Sequence, residues 1–495
     1  MKKIGFDNKK YLEMQSDKIL ERISMFGDKL YLEFGGKIFD DLHASRVLPG
    51  FEPDSKIKML SQLKDKAEIL IVINANDIEK NKYRSDLGIT YDSDVLRLID
   101  IFRSRDFYVG SVVLTRYAAQ PSAEAFKKRL ETLGVKVYMH YPIEGYPSEV
   151  NTIVSDEGYG KNEYVVTTRP LVVVTAPGPG SGKMATCLSQ LYHEYKRGIK
   201  AGYAKYETFP IWNIPLNHPV NVAYEAATAD LNDVNMIDPF HLEAYGTMTV
   251  NYNRDVEIFP VLSAMLTKIM GESPYKSPTD MGVNMAGNCI IDDDVCREAS
   301  KQEIIRRYFT ALIDVKKGRA SKEVISKIEI LMSKMHIDIN DRAVVQPALD
   351  KEKITGTPCC ALQLNDGRIV TGRTGAILGP AASVLINALK TLADIDDSID
   401  LISSTLMEPI QELKVKHMGS INPRLHTDEV LLSLAVSAVT NPTAKLAIEK
   451  LDDLKGAQLH STVMLAHVDE KTFKKLGIDV TCEPKRQTQA LFTAN

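Results

Sequence analysis

The chain has 495 residues, 61 Lys and Arg against 65 Asp and Glu, and a formal net charge of -4, a balance that argues against wholesale nucleic-acid binding. The length exceeds what one ordinary core organises, so about three domains are expected. Six cysteines, at positions 187, 289, 296, 359, 360 and 482, form neither a dense framework nor paired C-x-x-C sets, and no run reaches the roughly 18 apolar residues that span a bilayer. The N-terminus opens basic with no apolar stretch behind it, so a soluble, cytoplasmic protein without membrane contact is expected.

In chain order, residues 8–26 have the spacing of an amphipathic helix, and residues 29–34 read as a strand running into Gly35-Gly36-Lys37. Such an exit can hold phosphate, but a plain turn is the favoured reading for two glycines and one Lys. His43 and Arg46, three apart, share a face if helical. From residue 55 to 147 strand and helix patterns alternate. The apolar β-branched runs 68–74, 110–115 and 135–140 are strands; residues 92–104 and 122–133 are helices that start at Asp92 and Ser122. This alternation predicts a mostly parallel, helix-covered sheet whose functional loops lie beyond the C-terminal strand ends. Segments 74–77, 115–120, 140–145 and 175–183 are then the pocket linings, with Arg116 and Tyr117 as anion and ring contacts. Residues 152–168 read as a hairpin turning at 158–162.

Residues 171–190, LVVVTAPGPGSGKMATCLSQ, carry the sharpest signal: an apolar strand, a Gly/Pro turn and a helix start. In a phosphate-cradling loop, backbone N–H groups and the positive end of the helix dipole converge on one anion and a Lys adds a mobile charge. Gly178, Gly180 and Gly182 allow close backbone approach, and Ser181 and Lys183 stand where a P-loop places its phosphate contacts. Two departures weaken the match to G-x-x-x-x-G-K-[ST]. Pro177 replaces the first glycine, and Met184 replaces the hydroxyl residue that holds Mg²⁺. A phosphate-bearing small molecule, ATP among the candidates and Mg²⁺ with it, is the expected ligand.

Residues 201–295 are polar and aromatic with little simple periodicity, and the acceptor site is placed there. Asp238, His241 and Asp280 are the candidates to orient a metal or an acceptor, alongside Lys183 as the charge-neutralising group. A Walker-B strand is poorly matched by VNMID at 234–238. The Asp292-Asp293-Asp294 triplet reads first as a helix N-terminal cap. The middle of the chain, residues 259–343, is expected to be largely helical, separating an α/β domain over 1–258 from a C-terminal α/β domain over 344–495.

In the last domain, residues 359–364 and 368–372 flank Asn365-Asp366-Gly367, a strong hairpin signal. A long apolar helix follows at 379–394. Strands are expected at 399–403, 462–466 and 478–481, and helices at 427–439, 442–450 and 470–476. This order resembles a cytidine-deaminase-like fold in architecture alone. Zinc deamination needs an H/C-x-E at the start of that helix and a P-C-x-x-C after the next strand; the helix start reads Gly379-Pro380-Ala381-Ala382, so no zinc is expected.

GYAKYETFPIWN from Gly202, NMIDPFHLEAYG from Asn235, SPTDMGVNMAG from Ser277 and TGTPCCALQLNDGRIVTG from Thr355 together resemble a bacterial family known as domain of unknown function DUF1846, also an uncharacterised UPF group. The resemblance runs the whole chain. It implies a cytoplasmic bacterial protein with an N-terminal α/β part, a helical insert and a deaminase-like C-terminal part, and it carries no catalytic assignment. Two functions compete: an ATP-dependent phosphotransfer or ligation enzyme, and binding of a phosphorylated metabolite or cofactor without turnover. A non-enzymatic homo-oligomeric assembly protein is the third.

Overall fold

The computed structural model describes residues 3–27, 29–39, 41–84 and 87–487. The chain divides into two compact units, one formed by Ile4–Glu225 and Asn232–Ala299, the other mainly by the chain from Ser300 onward with the short segment Ala226–Leu231. Among the described residues no helix is long and apolar enough to cross a membrane.

The first unit is built on seven parallel strands. They are β1 (Leu30–Phe34), β2 (Ala67–Asn74), β5 (Tyr108–Thr115), β6 (Lys136–Met139), β7 (Leu171–Thr175), β8 (Gly202–Tyr206) and β11 (Gly282–Val283), set in the order β11-β8-β1-β7-β2-β5-β6. A small antiparallel ladder joins β3 (Tyr83–Arg84) to β4 (Ile89–Thr90), and another joins β9 (Asn235–Ile237) to β10 (Val250–Tyr252). Central strands of a parallel sheet are covered on both faces, which is why residues 69–73 of β2 and 171–174 of β7 are unbroken apolar runs and both strands are wholly buried. The β1–β8 register places Tyr31 beside Tyr203 and Phe34 beside Tyr206, so Tyr31 and Tyr206 point to opposite faces. On one face Tyr31 donates to Glu194 of the helix Lys183–Lys196 at 2.6 Å; on the other Tyr206 meets Tyr11 of the helix Asn8–Met25, hydroxyl to hydroxyl, at 2.6 Å.

The chain reverses direction across this sheet. From β2 it moves outward to β5 and β6; from β7 it turns back past β1 to β8 and β11. The reversal falls between β2 and β7, which are neighbours, and ligands in open α/β sheets bind beyond the strand ends at such a point.

The hairpin expected over 152–168 does not form. A short helix, Val150–Ile153, and a 3₁₀ turn, Tyr159–Lys161, stand there instead. The backbone finds its partners on the Lys183–Lys196 helix rather than on a second strand. Gln190 accepts from Val165 N at 2.9 Å and donates to Val165 O at 2.8 Å, and Asn162 donates to Ser189 Oγ at 3.0 Å. Helices Asn253–Met270, Pro278–Met281, Asp293–Lys316 and Lys322–Lys334 follow along the middle of the chain.

The second unit holds β12 (Cys359–Gln363), β13 (Ile369–Arg373), β14 (Gln458–Ser461) and β15 (Asp479–Cys482) in the order β13-β12-β14-β15. β12 is antiparallel to both neighbours, and β14 and β15 are parallel. The hairpin turns at Asn365–Gly367, with Gly367 at φ 90°, and the helix Pro380–Leu392 packs on it. Residues 399–403 add no strand: Leu401 and Ile402 are buried in the core as an irregular segment. The strand expected at 462–466 lies earlier, at 458–461, because those residues complete the ladder on β12.

Candidate functional site

Three strand exits interlock at the C-terminal edge of the parallel sheet. Thr115, ending β5, donates from its hydroxyl to the Ser181 carbonyl at 2.6 Å; Asn74, ending β2, donates to the Gly180 carbonyl at 3.5 Å. Gln120, beyond β5, donates to Asn76, beyond β2, at 2.8 Å. The loop after β7 is therefore held from below by the exits of β2 and β5, and its upper side, over Gly180, is the one left open.

The glycines of that loop serve different ends. A Cβ on Gly178 would stand 2.2 Å from the Tyr91 hydroxyl, so this position is emptied by packing. Gly182 sits at φ 92° with Thr115 3.1 Å from its Cβ position, and closes the loop as the left-handed residue before the helix. Gly180, at φ 75°, has no atom within 4 Å of its Cβ position. There lies the space above the loop. Ser181 is buried and donates back to the Gly178 carbonyl at 2.9 Å, which stiffens the turn.

The helix Lys183–Lys196 begins without a side-chain cap, so its first N–H groups have no partner from a capping residue. Lys183 is its first residue, part-exposed, and forms no ion pair with a described residue. Met184 does not face the loop's work: it packs on the apolar core beside Tyr146, Leu188 and Leu262. Thr186 Oγ1, one turn in, is buried with no hydrogen-bond partner. Across the rim, Arg116 is exposed and adopts φ 51°, a left-handed conformation rare for a side-chain-bearing residue. Tyr117 follows it, 6.1 Å from the Tyr141 ring beyond β6. His140, buried beside this pair in sequence, donates from Nε2 to the Glu163 carbonyl at 3.2 Å; burial pulls its pKa down to about 4, so it is neutral.

Asp238, His241 and Asp280 come together, but elsewhere. Asp238 is fully buried and caps the helix Pro239–Tyr245, accepting from Phe240 N and His241 N at 3.0 Å each and from the Thr279 hydroxyl at 2.6 Å. His241 Nδ1 lies 2.9 Å from Ser277 Oγ and 3.7 Å from Asp280, which accepts from Tyr245 at 2.9 Å and from Lys276 N at 3.0 Å. The corner's contacts run to β10, to Pro278–Met281 and to Arg22 of the first helix, whereas the loop's run to β2 and β5. Among the described residues no group of three His, Cys, Asp or Glu side chains is arranged to hold a metal ion.

A second charged knot lies past the end of β8. Lys205 Nζ is 2.8 Å from Glu207 and hydrogen-bonds Asp255 of the Asn253–Met270 helix; the sheet register sets Glu33 of β1 beside Lys205. Burial pushes the Glu207 carboxyl up to about 7, with Lys205 working against the shift and Asp255 for it. These residues sit in the polar stretch that the sequence marked. Their shared face was readable from the alternation Lys205-x-Glu207; the arrival of Asp255 from a distant helix was not. His43 lies at 5.1 Å from Phe209 and 5.5 Å from Tyr224, packed among aromatic rings.

Residues 4–336 match the family model "Domain of unknown function DUF1846, N-terminal", and residues 340–492 match "Domain of unknown function DUF1846, C-terminal". A UPF0371 protein of Streptococcus pyogenes serotype M3 is 57% identical over 492 residues, covering 99% of this chain and 100% of that protein. The UPF0371 protein of Streptococcus sanguinis is 58% identical with the same coverage.

Proposed function

The chain belongs to the DUF1846 family, and from that premise we propose that the loop between β7 and the Lys183–Lys196 helix binds a phosphate-bearing small molecule. One observation carries the reading: a 14-residue helix starts uncapped, behind a left-handed Gly182, with Lys183 at its first position in no ion pair with a described residue and open space over Gly180. Uncapped N–H groups and the helix dipole favour an anion there, and Lys183 and Arg116 supply the countercharge. Gly178, Ser181 and Gly182 shape the turn. In this sense the loop acts as a P-loop-like cradle.

Turnover of ATP is the finer alternative. It would need Mg²⁺ held without a hydroxyl at 184 and a base close to the loop. Asp238, His241 and Asp280, the residues proposed for that role, spend their hydrogen bonds in a separate corner. Binding of a phosphorylated metabolite or nucleotide is therefore the reading best supported. For the second unit we infer a deaminase-like architecture from its hairpin, helix and strand order, with no zinc chemistry attached.

The test is thermal unfolding with ATP, ADP, GTP, NAD(P)H and sugar phosphates, with and without Mg²⁺, for the wild type and Lys183→Ala. A ligand at about 100 times its Kd adds about 2.7 kcal/mol of apparent stability. Stabilisation of the wild type that Lys183→Ala loses is the expected result. If none of these anions stabilises the wild type, the proposal fails.

A further inference from the structure

Beside the loop after β7, the same edge of the sheet carries surplus negative charge. Glu33 is the penultimate residue of β1 and Lys205 that of β8; the two are register partners, and Glu33 also stands beside Val174, just before the loop leaves β7. Alternation along β1 puts Glu33 on the face of Tyr31, which the helix Lys183–Lys196 covers, and Lys205 and Glu207 share that face through Tyr203. Asp255 accepts from Lys205 on the same side. Burial works against the Lys205 charge, but Asp255, Glu207 and Glu33 outweigh it and push the ammonium pKa up. Three carboxylates thus surround one ammonium, and among the described residues none of them forms an ion pair with any other cation. With Glu207 protonated one negative charge is left over; with it ionised, two. Glu207 Oε1 is buried and lies 2.8 Å from Lys205 Nζ, outside the angle of a hydrogen bond, so it accepts none from a described residue. The cluster is open to solvent on one side: the side chains of Lys205 and Asp255 are 22% and 18% exposed, and Glu207 behind them is 4% exposed.

This acidic strip and the phosphate loop meet at two side chains. Burial raises the Tyr146 hydroxyl, with Glu33 adding to the shift and Arg116 opposing it. Burial likewise raises the Cys187 thiol, one turn behind Lys183, with Glu33 adding and Lys183 opposing. Glu33 therefore shares a near neighbour with each cation of the loop's rim. We propose that the ligand of this edge is zwitterionic, a phosphomonoester whose ammonium group sits against Glu33, Asp255 and Glu207 while its phosphate sits over Gly180 at Lys183. The inference rests on the phosphate reading of the loop and extends it to the rest of the ligand. β1 and β8 lie one and two strands from β7, about 5 and 10 Å across the sheet, a gap that a short amino-alkyl chain or an amino-sugar ring spans. An ammonium cancels the surplus charge, whereas a hydroxyl in its place leaves the carboxylates uncompensated in a partly buried setting. It also suits them better than a metal ion, since among the described residues no three such side chains are arranged around one point. Lys205 already shows how an ammonium nests between Glu207 and Asp255.

Titration calorimetry on the full chain tests it with esters that differ in one group: glucosamine 6-phosphate against glucose 6-phosphate, and ω-aminoalkyl phosphates of two to six carbons, each against its ω-hydroxyalkyl twin. For the best-fitting member the amine tightens binding about tenfold or more over its twin, the size of one charge-assisted hydrogen bond. Asp255→Asn and Glu33→Gln each bring that ratio down towards one, whereas Lys183→Ala weakens amine and hydroxyl esters alike and keeps the ratio. Hydroxyl esters titrated into the two carboxylate variants report whether the loop is intact, so a lost fold is not mistaken for a lost preference. If the hydroxyl esters bind and the amine adds nothing at any length, or if the ratio survives both carboxylate variants, the inference falls and the phosphate reading stands. If no ester of either kind binds the wild type, both fall.

Discussion

Glu207 offers a quantitative check on the charged knot at the end of β8. It is buried, and burial raises its pKa from 4.5 to about 7. Between those values the folded chain holds a proton that the unfolded chain has released. More protons bound in the folded state means that stability falls as pH rises through this window and stays lower above it. At about 1.4 kcal/mol per pH unit the loss amounts to about 3 kcal/mol. Glu207→Gln imitates the protonated carboxyl at every pH, and Lys205 keeps Asp255 as its partner. The variant's stability relative to wild type should therefore rise by about 3 kcal/mol between pH 4.5 and 7. Urea unfolding followed by tryptophan fluorescence reads it cleanly. Trp212 is the chain's single tryptophan and lies against Gly282, whose Cβ position is 3.3 Å from Glu207 Oε2. A variant-minus-wild-type stability difference that stays constant across the window, or that falls as pH rises, would refute the reasoning.

Two further substitutions probe the loop after β7. Gly178→Ala drives a methyl into the Tyr91 ring and should cost about 1–3 kcal/mol, recovered when Tyr91 is cut back to Leu; thermal unfolding of the pair measures the recovery. Gly180→Ala meets no atom and should cost about 1–2 kcal/mol from its left-handed backbone alone, with no recovery from Tyr91→Leu. In the second unit His426 hydrogen-bonds Asp469 at 3.0 Å, which raises the His426 pKa above 6.5. Its contribution is present in full below pH 6.5 and lost as pH climbs through the raised value, so unfolding midpoints of His426→Gln should approach those of wild type on the alkaline side. A gap that widens with pH would contradict the pairing.

Where local pattern and tertiary role agree, the elements lie where residue spacing puts them. The run EILIVIN became β2, LVVVT became β7, and Asn365-Asp366-Gly367 became a hairpin turn, because β-branched runs need two covered faces and Gly367 needs a left-handed backbone. The expected hairpin over 152–168 failed for a reason no local pattern holds: Gln190, Ser189 and His193 on one helix take up the backbone and side chains that a second strand would have paired. The residues proposed for a single site divided likewise. The glycines and Lys183 share one strand exit because they are contiguous, whereas Asp238, His241 and Asp280 follow β9 and precede β11 and gather in a corner of their own.

By itself, the sequence determined the parallel α/β character, the glycine-rich turn leading into a helix, and the uncharged stretch 430–444, all of which are properties of consecutive residues. Only the tertiary structure decided that Thr115 and Asn74 hold that turn from below, that Gly178 is emptied by Tyr91 while Gly180 opens to solvent, and that the stretch 430–444 has a face left bare. Each depends on which distant segments meet, and that is set by strand order and packing rather than by any local pattern.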